Sequence, residues 1–147
     1  MKRFKFSFES LLKMKISVEK QRKAELSIAQ YRLREFVKRL SEMEQVYEDC
    51  RVDFNELAVK GASTLDFSVY QNGFEALRDQ MARQQKKIDV AEEEVRRVQR
   101  ALTEVRKERK MLEKLKEHKL EEYKYESARE DARIIDDYIS YTVDTKR

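Results

Sequence analysis

Proline and tryptophan are absent from this 147-residue chain, and glycine occurs only twice, at Gly61 and Gly73. Compact β and α/β folds turn about every ten residues, and their turns use glycine, proline, asparagine and aspartate. The shortage of turn residues therefore argues against a globular fold of that kind. The single cysteine, Cys50, excludes a disulfide within the chain and fits a reducing compartment.

Long apolar stretches are also missing. No run approaches the roughly 18 apolar residues that cross a bilayer, so we expect no direct membrane insertion. The first residues carry charge without a continuous apolar segment, so we expect no signal peptide. Basic and acidic groups number 33 and 29, which gives a mixed surface with net charge +4. Because no stacking platform or recognition motif accompanies the basic groups, we expect no nucleic-acid binding.

Helix-forming residues dominate what remains. Alanine, glutamate, lysine, leucine and arginine make up about half of the chain, the composition of a coiled coil or a long helix. Apolar positions recur at alternating steps of three and four from Leu26 to Leu57, and again from Phe74 to Leu112. Such a heptad pattern, with apolar a and d positions, packs one helix along another.

One break separates the two apolar stripes. Gly61 suits the left-handed position that ends a helix, and the segment Ser63 to Asp66 has the form of a capping box. The sequence therefore predicts an all-α fold, a long two-helix antiparallel coiled-coil hairpin with one turn near residues 59–66. We expect a single domain over residues 1–147, with helices over about 6–60 and 66–140 and a turn at about 61–65.

Matching the two stripes predicts how the helices are aligned. The alignment that sets large side chains opposite small ones pivots near residue 65. Its pairs include Leu57 with Phe74, Cys50 with Met81, Tyr47 with Gln84, and Leu33 with Val98. It also brings Arg22 opposite Arg109, where we expect the seam to loosen. Residues after about 131 have no partner on the shorter first helix in this alignment.

The chain offers no recognisable catalytic or metal-binding arrangement. His118 has no neighbouring cysteine or second histidine and is interpreted as an exposed helical residue. Cys50 falls at a d position, which favours a buried structural thiol over a nucleophile. The two glycines do not form a phosphate-binding loop. We expect no enzyme activity, no cofactor and no metal.

Charge is distributed unevenly along the chain. Residues 1–25 carry eight basic and three acidic groups, and residues 101–124 carry eight and six. These segments face each other in the predicted hairpin, so its open end is basic. A basic end favours an acidic partner, although a merely soluble surface gives the same pattern.

Several short motifs together resemble those of the FliJ family, small coiled-coil proteins of flagellar type III export. The start of the chain contributes Phe4-x-Phe6-x-Phe8-Glu9-x-Leu11-Leu12-x-Met14-Lys15, then Glu19 and Leu26-x-x-Ala29. The second half contributes Leu112-x-x-Leu115, Tyr123-x-x-Glu126-x-x-Arg129-Glu130 and Ile135-Asp136-Asp137. The resemblance covers the whole length and includes the single turn.

This resemblance implies a function. FliJ proteins are similar in shape to the central stalk of rotary ATPases, and they insert the end of the hairpin that holds both termini into the hexameric flagellar export ATPase. They also contact the export-gate membrane protein and escort export chaperones. The implied location is the cytoplasm, peripherally at the inner face of the cell membrane at the flagellar base. The residues expected to contact the ATPase ring are Lys13, Lys20, Lys23, Lys107, Lys110 and Lys114.

The family also has a gate-contacting patch just after the turn, with the pattern Tyr-Gln-x-Phe-x-x-x-Leu. Tyr70, Gln71 and Leu77 match it, whereas Gly73 stands at the phenylalanine position and Phe74 follows. The residues expected to contact the gate are therefore Tyr70, Gln71 and Phe74. Two alternatives remain open: the equivalent stalk protein of a virulence type III secretion system, and an unrelated coiled-coil scaffold or adaptor.

Overall fold

The computed structural model describes residues 2–146, which form two α-helices and no strand. Helix α1 spans Glu9–Lys60 and helix α2 spans Thr64–Thr145, with 52 and 82 residues. The predicted fold class, an all-α helical hairpin, is confirmed. Helix α1 begins at Glu9 rather than near residue 6, because the Glu9 amide closes a tight turn on the Phe6 carbonyl at 3.1 Å. No helix within residues 2–146 has both the length and the apolar content to cross a bilayer.

The link between the helices is short and capped on both sides. Gly61 has φ 94°, the left-handed conformation that ends α1. The Asp66 amide donates to Ser63 Oγ and the Ser63 amide donates to Asp66 Oδ2, both at 3.2 Å. This reciprocal capping box starts α2. The predicted helix-ending glycine and capping box are both confirmed.

The chain divides into two compact units. The turn unit is Arg22–Ala101 and contains α1 from Arg22 onward, the link, and α2 as far as Ala101. The terminal unit combines residues 2–21 with residues 102–146. Each unit packs residues of α1 against residues of α2.

The core of the turn unit comes from the two predicted stripes. Its buried apolar side chains are Ala29, Phe74, Ile88, Ala91 and Val98. The ring of Phe74 packs between those of Tyr47 and Phe54, with centroid distances of 5.2 and 5.9 Å.

The alignment of the helices in the turn unit differs from the predicted one. Phe74, predicted opposite Leu57, lies between Tyr47 and Phe54. Gln84, predicted opposite Tyr47, donates a hydrogen bond to the Phe36 carbonyl at 2.9 Å. The contacts of Phe74 displace α2 along α1 by about one heptad, or two helical turns, and the contact of Gln84 indicates a displacement in the same direction. The predicted alignment is therefore wrong.

The turn explains this difference. A heptad pattern presents the same a and d positions after a shift of seven residues, so the apolar stripes alone fit either alignment. The predicted alignment needs a turn that pivots near residue 65, which would unwind the first turns of α2. The capping box instead starts α2 at Thr64, so that only Gly61 to Ser63 connect the helices.

The terminal unit has a smaller apolar core. Phe6, Leu12 and Leu102 are buried in it. The ring of Phe4 lies 5.5 Å from that of Tyr123, whose hydroxyl donates to the Lys2 carbonyl at 2.7 Å. Beyond about residue 131, as the sequence predicts, the large apolar side chains of α2 are exposed. They are Ile134, Ile135, Tyr138, Ile139, Tyr141 and Val143.

Candidate functional site

Five of the six lysines expected at an ATPase contact fall in the terminal unit, and all six are exposed. These five are Lys13, Lys20, Lys107, Lys110 and Lys114. Lys23 belongs to the turn unit. Because each lysine lies outside the buried stripes, its ammonium group is available to solvent without disturbing the core.

Ion pairs within the terminal unit neutralise part of its basic charge. Lys116 lies 2.8 Å from a Glu9 carboxylate oxygen, and Lys107 lies 3.5 Å from one of Glu104. Lys15 pairs with Glu108. Within residues 2–146, Lys13, Lys20, Lys110 and Lys114 form no such ion pair. The positive charge of these four lysines is therefore not neutralised by a neighbouring carboxylate.

An ionic cluster around the buried Glu19 side chain, which the sequence did not predict, lies in the same unit. The Glu19 side chain is only 7% exposed. Arg106 Nε donates to one of its carboxylate oxygens at 3.2 Å, and Arg109 Nε donates to the other. Arg109 Nη1 also lies 2.9 Å from both oxygens of Glu113. Hydrogen bonds to Glu113 and Glu19 raise the pKa of the Arg109 guanidinium above its ordinary value.

This cluster replaces the predicted contact between Arg22 and Arg109. The predicted pair of like charges was the signal in the sequence that the alignment was wrong, because like charges directly opposite are unfavourable. Moving α2 by one heptad exchanges that repulsion for the attraction between Arg109 and Glu19. Arg109, which opposed the predicted alignment, thus supports the observed one.

The three residues expected to contact the export gate have different exposures. Phe74 is only 9% exposed and belongs to the core of the turn unit. The ring of Tyr70 is half-buried and packs 5.5 Å from that of Phe54. Gln71 is exposed. Of the three, only Gln71 and the outer edge of Tyr70 lie at the surface.

Gly73, at the position where the resemblance led us to expect phenylalanine, is exposed on α2. A Cβ atom at this position would meet no atom within 4 Å, so packing does not require a glycine here. Leu65 and Val69 precede Gly73 at four-residue spacing, on the same side of the helix. Both are largely exposed, at 73% and 62%. This apolar surface lies outside the a and d stripes, which is why heptad analysis did not identify it.

An open groove of 530 Å³ lies between the helices of the turn unit. Ala29, Phe36 and Ala91 form its apolar floor, while Lys86 and Lys87 stand among the charged residues around it. Small alanine side chains at core positions leave this space, because they cannot fill the gap between two helices.

The candidate catalytic side chains remain isolated from one another. His118 is exposed and lies 3.1 Å from the Glu122 carboxylate one helical turn away. Cys50 is a free, half-buried thiol in the turn unit. Within residues 2–146, no group of three or more histidine, cysteine, aspartate or glutamate side chains could hold a metal ion.

A family model described as Flagellar FliJ protein matches residues 4–147, nearly the whole chain. No curated protein and no solved structure matches.

Proposed function

The chain belongs to the family of flagellar FliJ proteins, and from this premise we propose that it acts as the central stalk of the flagellar export ATPase. Membership makes it a component of flagellar type III export. In the proposed role it is a non-catalytic protein that binds the hexameric ATPase, stimulates ATP hydrolysis, and connects the ATPase with the export gate and the export chaperones. It works in the cytoplasm, peripherally associated with the membrane at the flagellar base.

The observation that carries the ATPase contact is the exposed positive charge of the terminal unit. Lys13, Lys20, Lys110 and Lys114 are exposed there without an intramolecular ion pair among residues 2–146. Charges of this kind attract an acidic surface over about a Debye length, so they accelerate encounter and fix orientation more than they add affinity. An ATPase ring with acidic side chains around its opening is the partner that this surface fits.

The gate contact is supported by a smaller surface. Gln71 and the edge of Tyr70 are exposed in the turn unit, and they match two positions of the family patch. Phe74 contributes indirectly, because its buried ring packs 6.3 Å from that of Tyr70 and helps to hold it. We propose the exposed apolar residues Leu65 and Val69 as further contact residues for the gate.

Charge reversal tests the ATPase contact. The variant Lys107→Glu, Lys110→Glu, Lys114→Glu should remain helical, because exposed substitutions change stability by only about ±0.5 kcal/mol each. It should stimulate the hexameric export ATPase less than the parent chain, and its stimulation should depend less on salt. Circular dichroism establishes that the variant is folded before ATPase rates are compared.

The matched control reverses three exposed basic residues of the turn unit, Arg83, Lys86 and Lys87. It makes the same change in net charge without altering the terminal unit. Retained stimulation by the control, with loss in the first variant, supports a contact through the terminal unit. Equal losses would mean that net charge alone drives binding, and stimulation unchanged in both would refute the proposed electrostatic contact.

A further inference from the structure

Glu19 occupies a position that the heptad pattern reserves for an apolar side chain. Counting back from Leu26, it falls at an a position of α1, and its side chain is 7% exposed. Taking a carboxylate out of water costs several kcal/mol unless the surrounding groups pair with it. Since an apolar residue would fill this position at no such cost, the charge at Glu19 calls for a role other than stability.

The compensating charges come from the other helix. Arg106 of α2 donates to one oxygen of Glu19 and Arg109 donates to both, while Glu113 accepts from Nη1 of Arg109. We name these four residues the Glu19 cluster. Arginine suits this arrangement because its planar fork can pair with two carboxylates at once.

The cluster distinguishes alignments that the apolar stripes do not. After a shift of one heptad towards the alignment expected from the stripes, Arg109 would stand opposite Arg22 and Glu19 would stand opposite Leu112. The buried carboxylate would then lose both guanidinium partners while the apolar layers stayed matched. Separating a buried carboxylate from the guanidinium groups that pair with it is unfavourable.

We propose that the Glu19 cluster determines the alignment of α1 against α2 by excluding the heptad-shifted alignments. Buried polar groups at a positions are known to specify alignment in coiled coils at a cost in stability. Replacing the cluster with apolar residues should therefore leave the helices stable but allow a second alignment. An ion pair that only stabilised the fold would behave differently, because its removal would not allow a second alignment.

Cys50 provides a reporter for the alignment. Phe74 packs between Tyr47 and Phe54, the positions on either side of Cys50 along the stripe. A thiol introduced by Phe74→Cys therefore lies opposite Cys50 in the observed alignment. In the shifted alignment Met81 lies opposite Cys50 instead. A short bis-maleimide reagent, applied at low protein concentration, should bridge Cys50 to whichever thiol is opposite it, and gel mobility separates the bridged chain.

The test introduces Glu19→Leu together with Arg109→Leu into both reporter chains. In the parent background we expect rapid bridging with F74C and little with M81C. In the double leucine variant the rate of bridging between Cys50 and the M81C thiol should rise about tenfold, equivalent to about 1.4 kcal/mol. Helix content and melting temperature should be maintained or raised, because apolar replacement of a buried ion pair is often stabilising.

The control is Glu93→Leu with Arg96→Leu, an exposed ion pair within α2 at 3.1 Å. It removes the same two charges without touching the Glu19 cluster and should leave M81C bridging unchanged. Unchanged M81C bridging in the Glu19 variant, or an equal rise in the control, would overturn the proposal. If the double leucine variant loses helix, Glu19→Gln, which keeps the side-chain shape, is scored by the same two reporters.

Discussion

The side-chain amide of Gln84 in α2 donates a hydrogen bond to the main-chain carbonyl of Phe36 in α1, with 2.9 Å between the two atoms. Gln84 is only 5% exposed, so this polar contact lies within the apolar seam. The Phe36 carbonyl also belongs to the hydrogen-bond ladder of α1, in which each carbonyl accepts from the amide four residues later. Removing the glutamine therefore leaves no main-chain group without a partner.

Substitutions at Gln84 should distinguish the stabilisation that comes from filling space from the stabilisation that comes from the hydrogen bond. Gln84→Leu should change the free energy of unfolding by no more than about 1 kcal/mol, because added apolar burial offsets the lost hydrogen bond. Gln84→Ala should lower it by about 2 kcal/mol, because it removes the hydrogen bond and leaves a cavity. Urea unfolding followed by circular dichroism measures both. Equal losses in the two variants would show that the hydrogen bond, not the filled space, stabilises this layer.

The two glycines should respond in opposite directions to the same substitution. A Cβ atom at Gly61 or Gly73 would meet no atom within 4 Å, so backbone conformation alone decides the outcome. Gly61 has φ 94°, so Gly61→Ala should lower the free energy of unfolding by about 1–2 kcal/mol. Gly73 lies within α2, so Gly73→Ala should raise it by about 1 kcal/mol. Thermal melting of both variants checks these signs, and a loss at Gly73 would mean that the helix is not regular there.

Phe74 and Gln71 should differ in how much they contribute to the free energy of unfolding. Phe74→Ala should lower the free energy of unfolding by about 3–5 kcal/mol, because it empties the space between Tyr47 and Phe54. Gln71→Ala should change it by less than about 0.5 kcal/mol, because Gln71 is exposed. Chemical unfolding measures both values. If Phe74→Ala proved as mild as Gln71→Ala, Phe74 would be a surface contact residue and not part of the core.

Heptad spacing predicted the helices and their buried faces but could not predict their alignment. The stripes placed Ala29, Ile88 and Val98 correctly in the core, because a three-four pattern defines a helix face regardless of the partner. Two local features of the sequence argued against the predicted alignment. One was the capping box of Ser63 and Asp66, which shortens the turn, and the other was the unfavourable predicted contact of Arg109 with a second arginine.

Among the candidate contact residues, too, the sequence predicted some features and missed those that depend on the alignment of the helices. Exposure of the lysines follows from their places outside the a and d positions, so sequence alone predicted it. The burial of Phe74 beside Tyr47 follows from the alignment, which the sequence did not determine. The pairing of Glu19 with Arg109 was missed for the same reason, since these residues come together only after the two helices are correctly aligned.

The end of α2 should contribute to binding rather than to folding. The side chains of Ile134, Ile135 and Ile139 are more than half exposed in the terminal unit. Deleting residues 132–147 should therefore change the free energy of unfolding by no more than about 0.5 kcal/mol. An exposed cluster of large apolar side chains is typical of a contact surface, so the same deletion should weaken binding to the export ATPase.

Melting temperature, and not helical signal, is the correct measurement for this deletion, because removing helical residues lowers ellipticity even when the remainder is intact. The substitutions Ile134→Ser, Ile135→Ser and Ile139→Ser provide a control of full length that removes apolar surface alone. If these isoleucines form the contact, the substituted chain should bind the ATPase as weakly as the shortened one while melting at the parent temperature. A large fall in melting temperature in either variant would show that the end of α2 packs against the rest of the terminal unit and stabilises it.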